Sequence, residues 1–207
     1  MSKDGRKAYW DQVYATKGER EVSWFEERPT LSLDMLACAS ATVDAAIIDI
    51  GGGTSHLVDA LLDRGFLNPT VLDLSAAALA AAKARLGPRG DGVTWIAADV
   101  TQWQPARQYD VWHDRAALHF LTGPADRAAY VATLRRALQP GGHAIIATFA
   151  PEGPERCSGL PVQRYDAQSL GRLLGPEFEL LQTRRDVHRT PWDAAQVFQF
   201  SLFRKKR

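Results

Sequence analysis

Three glycines and two acids are spaced as a nucleotide-type site needs them. Asp49-Ile50-Gly51-Gly52-Gly53-Thr54-Ser55 follows the apolar run Ala46-Ile47-Ile48. Glycines let a backbone turn sharply and let a ligand come close, because no Cβ intervenes. Leu57, Ala60, Leu61 and Arg64 then recur at helical spacing, so the stretch reads as strand, tight turn and helix. The start of such a helix presents unpaired N–H groups. Asp73 closes the next apolar run, twenty residues beyond Gly53. A carboxylate there can accept both hydroxyls of a ribose, and hydrogen bonds to a charged group are worth roughly 1.5–3 kcal/mol. The alternative is a turn residue or helix-dipole partner.

Asp99 closes a third run, Val93 to Ala97. It can accept from an adenine amine while Val100 packs on the ring; the alternative is a surface loop acid. The dinucleotide fingerprint G-x-G-x-x-G would need a third glycine where His56 stands. A pyrophosphate-bearing ligand therefore fits poorly.

These residues need a scaffold. Strand and helix alternate about five times between Ala46 and Phe149, which predicts a parallel sheet with right-handed crossovers. Two helices are predicted ahead of it. Arg6 to Lys17 carries Tyr9, Trp10, Val13 and Tyr14 on one face. Pro29-Thr30 opens the second, with Leu31, Met35, Leu36 and Cys38 available for burial. Residues 1–44 form the helical lid segment and 45–207 the main domain, within one globular unit. Tyr109 to Arg115 is the fourth strand and its exit. Gln139-Pro140-Gly141-Gly142 is a turn before the strand His143 to Phe149. Ala150 to Val162 is a long Pro- and Gly-rich loop, often functional in a compact domain. Phe178–Val187 and Val197–Phe203 alternate without a helix between them, so an antiparallel hairpin at the sheet edge is expected.

Composition narrows the classes. The 207 residues carry 45% apolar and 24% charged side chains and a net charge of +1. No nucleic-acid footprint is expected at that charge. No apolar run reaches the length of a membrane span. Met1 to Lys7 is polar and shows no signal peptide. Cys38 and Cys157 lie far apart and form no metal spacing, and a reduced cytoplasmic setting is the default. Cys38 reads as core. Cys157 reads as a small packed residue, with a reactive thiol as the alternative.

Taken together, Asp49, the glycine turn, Asp73, Asp99, Pro140-Gly141-Gly142 and the terminal hairpin resemble the class I S-adenosylmethionine (SAM) methyltransferases. The resemblance runs from about Ala45 onward. It implies a Rossmann-like, doubly wound α/β sheet of seven strands, mostly parallel with an antiparallel C-terminal hairpin and helices on both faces. SAM would be the cofactor and S-adenosylhomocysteine (SAH) the product. Tyr9-Trp10-Asp11 with Tyr14 and Trp24, Trp112 to Leu118, and Gly153-Pro154 look like the thiopurine and thiol methyltransferase branch. Ala116 departs from that branch, which has a glycine there.

The resemblance implies a SAM shell of Trp10, Tyr14, Trp24, Asp49, Gly51, Gly53, Asp73, Leu74, Asp99, Val100 and His113. A sulfonium cation favours the faces of such aromatics; plain cover for the sheet end is the other reading of Trp10, Tyr14 and Trp24. The catalytic candidates follow the fourth strand. Asp114 can orient the acceptor or hold the SAM amino group, Arg115 can stabilise a thiolate or bind an acidic group, and His119 can act as base. No metal is expected. The leading expectation is methyl transfer to a small thiol-like molecule, by a monomer or homodimer. A protein-lysine methyltransferase and a non-catalytic SAM sensor or scaffold are the alternatives.

Overall fold

A computed structural model describes residues 3–207. Met1 and Ser2, part of the polar start, lie outside the described residues. The chain runs α1 (Lys3–Thr16), α2 (Thr30–Cys38), β1 (Ala46–Ile50), α3 (Leu57–Asp63), β2 (Asn68–Asp73), α4 (Ala76–Leu86), β3 (Thr94–Ala97), β4 (Tyr109–Arg115), α5 (Pro124–Ala137) and β5 (Leu138–Phe149). The two-residue strands β6 (Arg156–Cys157) and β7 (Leu160–Pro161), α6 (Ala167–Leu174), β8 (Phe178–Arg189) and β9 (Ala195–Lys205) complete it.

The main sheet has the order β3-β2-β1-β4-β5-β9-β8. β1 to β5 pair in parallel, and β9 is antiparallel to both β5 and β8. This is the doubly wound sheet with its C-terminal hairpin. The strand order reverses between β1 and β4, and ligands of such sheets bind outside the carboxyl ends of the strands at that point.

Alternation along the strands sends side chains to two faces. Ile48, Ile50 and Trp112 meet Tyr130 and Leu134 of α5 and Leu170 and Leu174 of α6. Ile47, Val111 and Ile145 meet Leu33, Met35 and Leu36 of α2 and Leu57 and Leu61 of α3. All five residues of β1 are buried, as a strand covered on both faces must be. α4 is alanine-rich and capped by Ser75, whose Oγ accepts from Ala78 N at 3.3 Å. α1 packs across α4, where Ser75 Oγ donates to Asp11 Oδ1 at 2.6 Å.

Several local expectations shift. Cys38 is exposed rather than core, because the last turn of α2 faces outward while Leu33, Met35 and Leu36 fill the sheet face. Gln139 to Gly142 lies within the first part of β5, the backbone accommodated by Gly141 at φ +83°. The loop after β5 holds the β6–β7 hairpin, turned through Ser158 and Gly159 at positive φ. β8 and β9 each run longer than the apolar alternation suggested. Among the described residues no helix is long and apolar enough to cross a membrane.

Candidate active site

A cavity opens over the carboxyl ends of β1, β2 and β4, below α1. Ile50 and Gly51 come from the β1 turn, Leu72, Asp73 and Leu74 from β2, and Ala98, Asp99 and Val100 from the turn after β3. Trp10 and Tyr14 of α1 and Trp24 cover it. Arg115, Ala116, Ala117, Phe120 and Cys157 line the far end. The sheet therefore gathers residues nearly 150 positions apart in sequence around one space.

The glycine turn is shaped for close approach. Gly51 and Gly53 sit at φ +66° and +47°. A Cβ on Gly52 would stand 2.7 Å from Asp49 Oδ2 and from Val71 Cγ1. Asp73 is buried beside this turn and accepts from Ser75 N at 2.7 Å through Oδ1. Burial, with Asp49 and Asp11 nearby, pushes its carboxyl up to about 7. Asp99 accepts from Thr101 N and Oγ1 at 2.8 and 2.7 Å through Oδ1. Its Oδ2 lies 3.4 Å from Arg6 Nη2.

The aromatic cover is a cluster. Trp10 meets Phe120, Trp24 and Tyr14 with ring centroids 4.9, 5.7 and 6.3 Å apart. Burial and the Asp73 carboxyl push the Tyr14 hydroxyl well above its ordinary range, so it stays protonated. Tyr9 donates to Ser158 O, tying α1 to the β6–β7 hairpin. Trp10 and Tyr14 narrow the cavity to about 120 Å³. Ordinary small-molecule pockets hold roughly 300–1,000 Å³. The buried acids and bare glycine turn suit a ribonucleoside, and these two rings lie over the space it would take.

Trp10, Tyr14, Trp24, Gly51, Asp73, Leu74, Asp99, Val100 and Arg115 thus share one cavity. The other candidates stand outside its lining. Gly53 lies under the Tyr14 hydroxyl. Asp49 and His113 hold each other: His113 Nδ1 is 2.7 Å from Asp49 Oδ1, and its Nε2 is 2.9 Å from Ser32 Oγ. Both line a smaller recess behind Gly51 that also reaches Arg115 and His56.

Asp114 is fully buried. It accepts from Ala117 N at 2.8 Å, Leu118 N at 3.1 Å and the Tyr130 hydroxyl at 2.6 Å. Trp112 Nε1 donates to the same hydroxyl at 2.9 Å. These contacts brace the turn after β4, where Ala116 takes φ +75°. That is the conformation a glycine would adopt without cost. His119 is equally buried, between Phe120 and Phe149 at 4.4 and 4.8 Å. Burial pushes its imidazole down to about 3, with Arg115 adding to the effect, so it is neutral. In this position it has no opening to the cavity, unlike the base expected from its spacing to Arg115. The helix that would have put both on one face is only a single 3-10 turn, Leu118–Phe120.

Arg115 carries the cation at the far end. Its Nη1 donates to Trp24 O at 2.9 Å and its Nη2 to Glu26 Oε1 at 2.8 Å, with the guanidinium 4.9 Å from the Phe198 ring centre. Its Nε is buried without a partner. Three contributors escaped the sequence reading. Arg6 lies one helical turn before Trp10, a spacing that places it on the same face, and it pairs with Asp126 at 2.9 Å. Phe120 is separated from Trp10 by more than a hundred residues. Glu26 sits in an irregular loop with no periodic signal.

Known proteins resemble this chain in sequence and in fold. The model of the methyltransferase domain family matches residues 47–142. The chain is 31% identical over 147 residues to trans-aconitate 2-methyltransferase of Acidovorax ebreus, covering 70% of this chain. It spans only 54% of that relative's length. It is 31% identical over 162 residues to EEF1A lysine methyltransferase 2 of Danio rerio, covering 70% of this chain and 69% of the relative. The N-methyltransferase NodS of Bradyrhizobium japonicum, solved with SAH, superposes with a TM-score of 0.71 at 15% identity, over 95% of this chain and 98% of that one. With the glycine turn, the acids at the strand ends and the seven-stranded sheet already in place, the chain belongs to the class I SAM-dependent methyltransferases.

Proposed function

We propose that this chain transfers a methyl group from SAM to a small-molecule acceptor held at the Arg115 end of the cavity. The observation that carries this reading is the cavity itself. It runs without interruption from two strand-end acids, Asp73 and Asp99, to a guanidinium, an indole and a thiol at Arg115, Trp24 and Cys157.

Bound SAM would supply a methyl already activated by its sulfonium. Asp73 would accept the ribose hydroxyls, and Asp99 and Val100 would hold the adenine. Trp10, Tyr14 and Trp24 would exclude water and offer their faces to the positive charge. The chain's task is then to orient the acceptor. Orientation and avoided solvent reorganisation can supply about 7–11 kcal/mol of such a barrier. Arg115 would bind an anionic group of the acceptor or stabilise a thiolate. Neither Asp114 nor His119 opens to the cavity, so we assign Asp114 to bracing the turn after β4 and His119 to packing. A soft nucleophile such as a thiol needs little more than loss of its proton, which suits a cavity whose Arg115 end is lined, among the described residues, by no histidine or carboxylate. Similarity to the trans-aconitate enzymes supports a small molecule.

Similarity to the lysine methyltransferase supports a second reading, a protein acceptor. SAM labelled on its transferable methyl separates the two when incubated with the protein and a cell extract. Label in volatile or small soluble products is expected, followed by a panel of thiols and carboxylates. Label on protein would move the acceptor to a lysine. SAH binding with no transfer to any fraction would favour a sensor.

A further inference from the structure

Of the four glutamates in the loop between α1 and α2, Glu19 and Glu26 are each held by an arginine and a histidine from the scaffold. Glu19 Oε2 accepts from Arg85 Nη1 at 2.8 Å, and its Oε1 lies 2.8 Å from His56 Nε2. That histidine approach falls outside hydrogen-bond angles, so it is a close contact rather than a bond. Seven residues on, Glu26 Oε1 accepts from Arg115 Nη2 at 2.8 Å and lies 3.4 Å from His188 Nδ1. His188 Nε2 donates in turn to Ser23 O at 2.7 Å. Between the two glutamates stands Trp24, which faces the cavity.

Arg85 does more than hold Glu19. It donates to Thr54 O at 2.8 Å and Ser55 O at 3.0 Å, and grips Asp59 at both oxygens, at 3.2 and 2.6 Å. One guanidinium on α4 thus joins the turn after β1, the first turn of α3 and the cover of the cavity. Such fork-shaped contacts fix geometry as well as charge. Burial alone would raise both glutamates, yet their cationic neighbours hold them below the usual carboxylate range.

We propose that Glu19 and Glu26 are positioning residues that latch Trp24 and the adjoining α1 over the cavity and so set the rate of cofactor exchange. The proposal rests on the SAM reading above. Entry and exit pass Trp10 and Tyr14, which cover the cavity, so exchange involves a shift of both rings. The latch acts on that shift at two points. Neither glutamate lines the main cavity, and Glu19 contacts no residue that does, so an effect of Glu19 on ligand kinetics passes through the loop.

The test is stopped-flow tryptophan fluorescence on mixing the full chain with SAH, with melting temperatures recorded beside it. Binding of SAH to the unaltered protein is established first by calorimetry. Its failure there would sink the SAM reading, not the latch alone. Given binding, Glu19→Gln should raise both the association and the dissociation rate about fivefold, and Glu26→Gln should do the same. Adding Glu19→Gln to Arg85→Gln should speed exchange little beyond Arg85→Gln alone, because the contact between the two is already lost. Folded variants that exchange SAH at the original rates would overturn the latch. Should Glu26→Gln fail to fold, the Glu19 and Arg85 variants carry the test alone.

Discussion

The Tyr14 hydroxyl rests on the bare Cα of Gly53, 2.5 Å from where a side-chain carbon on that residue would stand. Asp73 Oδ2 is 3.2 Å from the same point. The lid, the glycine turn and the ribose-binding candidate therefore meet at one position. Gly53→Ala should displace Tyr14 and force a left-handed alanine, a conformation that costs roughly 1–2 kcal/mol. We expect a lower melting temperature and SAH affinity weakened about tenfold by calorimetry. Unchanged affinity would mean that Tyr14 moves away at no cost.

Asp73 sets a pH dependence with a definite sign. Burial raises its carboxyl from 3.8 to about 7. Between those values the folded chain holds a proton that the unfolded chain has released. The stability this group contributes is thus complete below about 4 and is lost as pH rises through about 7, at up to roughly 1.4 kcal/mol per unit. Urea denaturation at pH 5 and pH 8 should show the loss in the unaltered protein and a flatter profile in Asp73→Asn.

The same ionisation should govern the ligand. A carboxylate accepts from two ribose hydroxyls, whereas the protonated form has one oxygen committed as a donor. SAH affinity should rise about tenfold from pH 6 to pH 8, following the ionised fraction. Asp73→Asn should bind more weakly and without that slope. An identical slope in the variant would assign the titration to another group.

Asp114 predicts a structural loss rather than a selective catalytic one. Asp114→Ala would leave the Ala117 and Leu118 N–H groups without an acceptor, and the Tyr130 hydroxyl with Trp112 as donor but nothing to accept its own proton. Each unsatisfied buried group costs about 1–3 kcal/mol. Chemical denaturation should report a loss of at least about 3 kcal/mol. A variant of normal stability that lacked turnover alone would return Asp114 to the catalytic list.

Ala116 offers a gain. Its φ of +75° is one that glycine adopts freely. Ala116→Gly should stabilise the fold by about 1 kcal/mol, less the entropy that glycine adds to the unfolded chain. The melting temperature should rise by roughly 2–4 °C for a chain of this size. A fall would show that the alanine methyl, which lines the cavity, packs well enough to offset its backbone.

Much of the fold was legible in the residues. Short apolar runs ended by glycines or acids marked β1 to β4, because a strand is apolar where the sheet is covered and its exit must turn. Asp73, Asp99 and Gly51 fall together from the sequence alone, since a doubly wound sheet brings successive strand ends to one edge. The aromatic spacing of Trp10 and Tyr14 showed one helix face, though not what that face would cover.

What the tertiary structure alone decided is which neighbouring residues look into the cavity. Asp114 and Arg115 are adjacent in β4, so they point to opposite faces of the sheet. One enters the core beside Tyr130 and the other reaches the cavity beside Trp24. His119 was separated from Arg115 by a helical spacing, but the chain makes only a single 3-10 turn there and buries the ring. Glu19 and Glu26 carried no pattern at all. Their roles depend on Arg85, His56, Arg115 and His188, brought to them from four separate elements. Local periodicity fixes the faces of helices and strands, whereas long-range ion pairs exist only once those elements have packed.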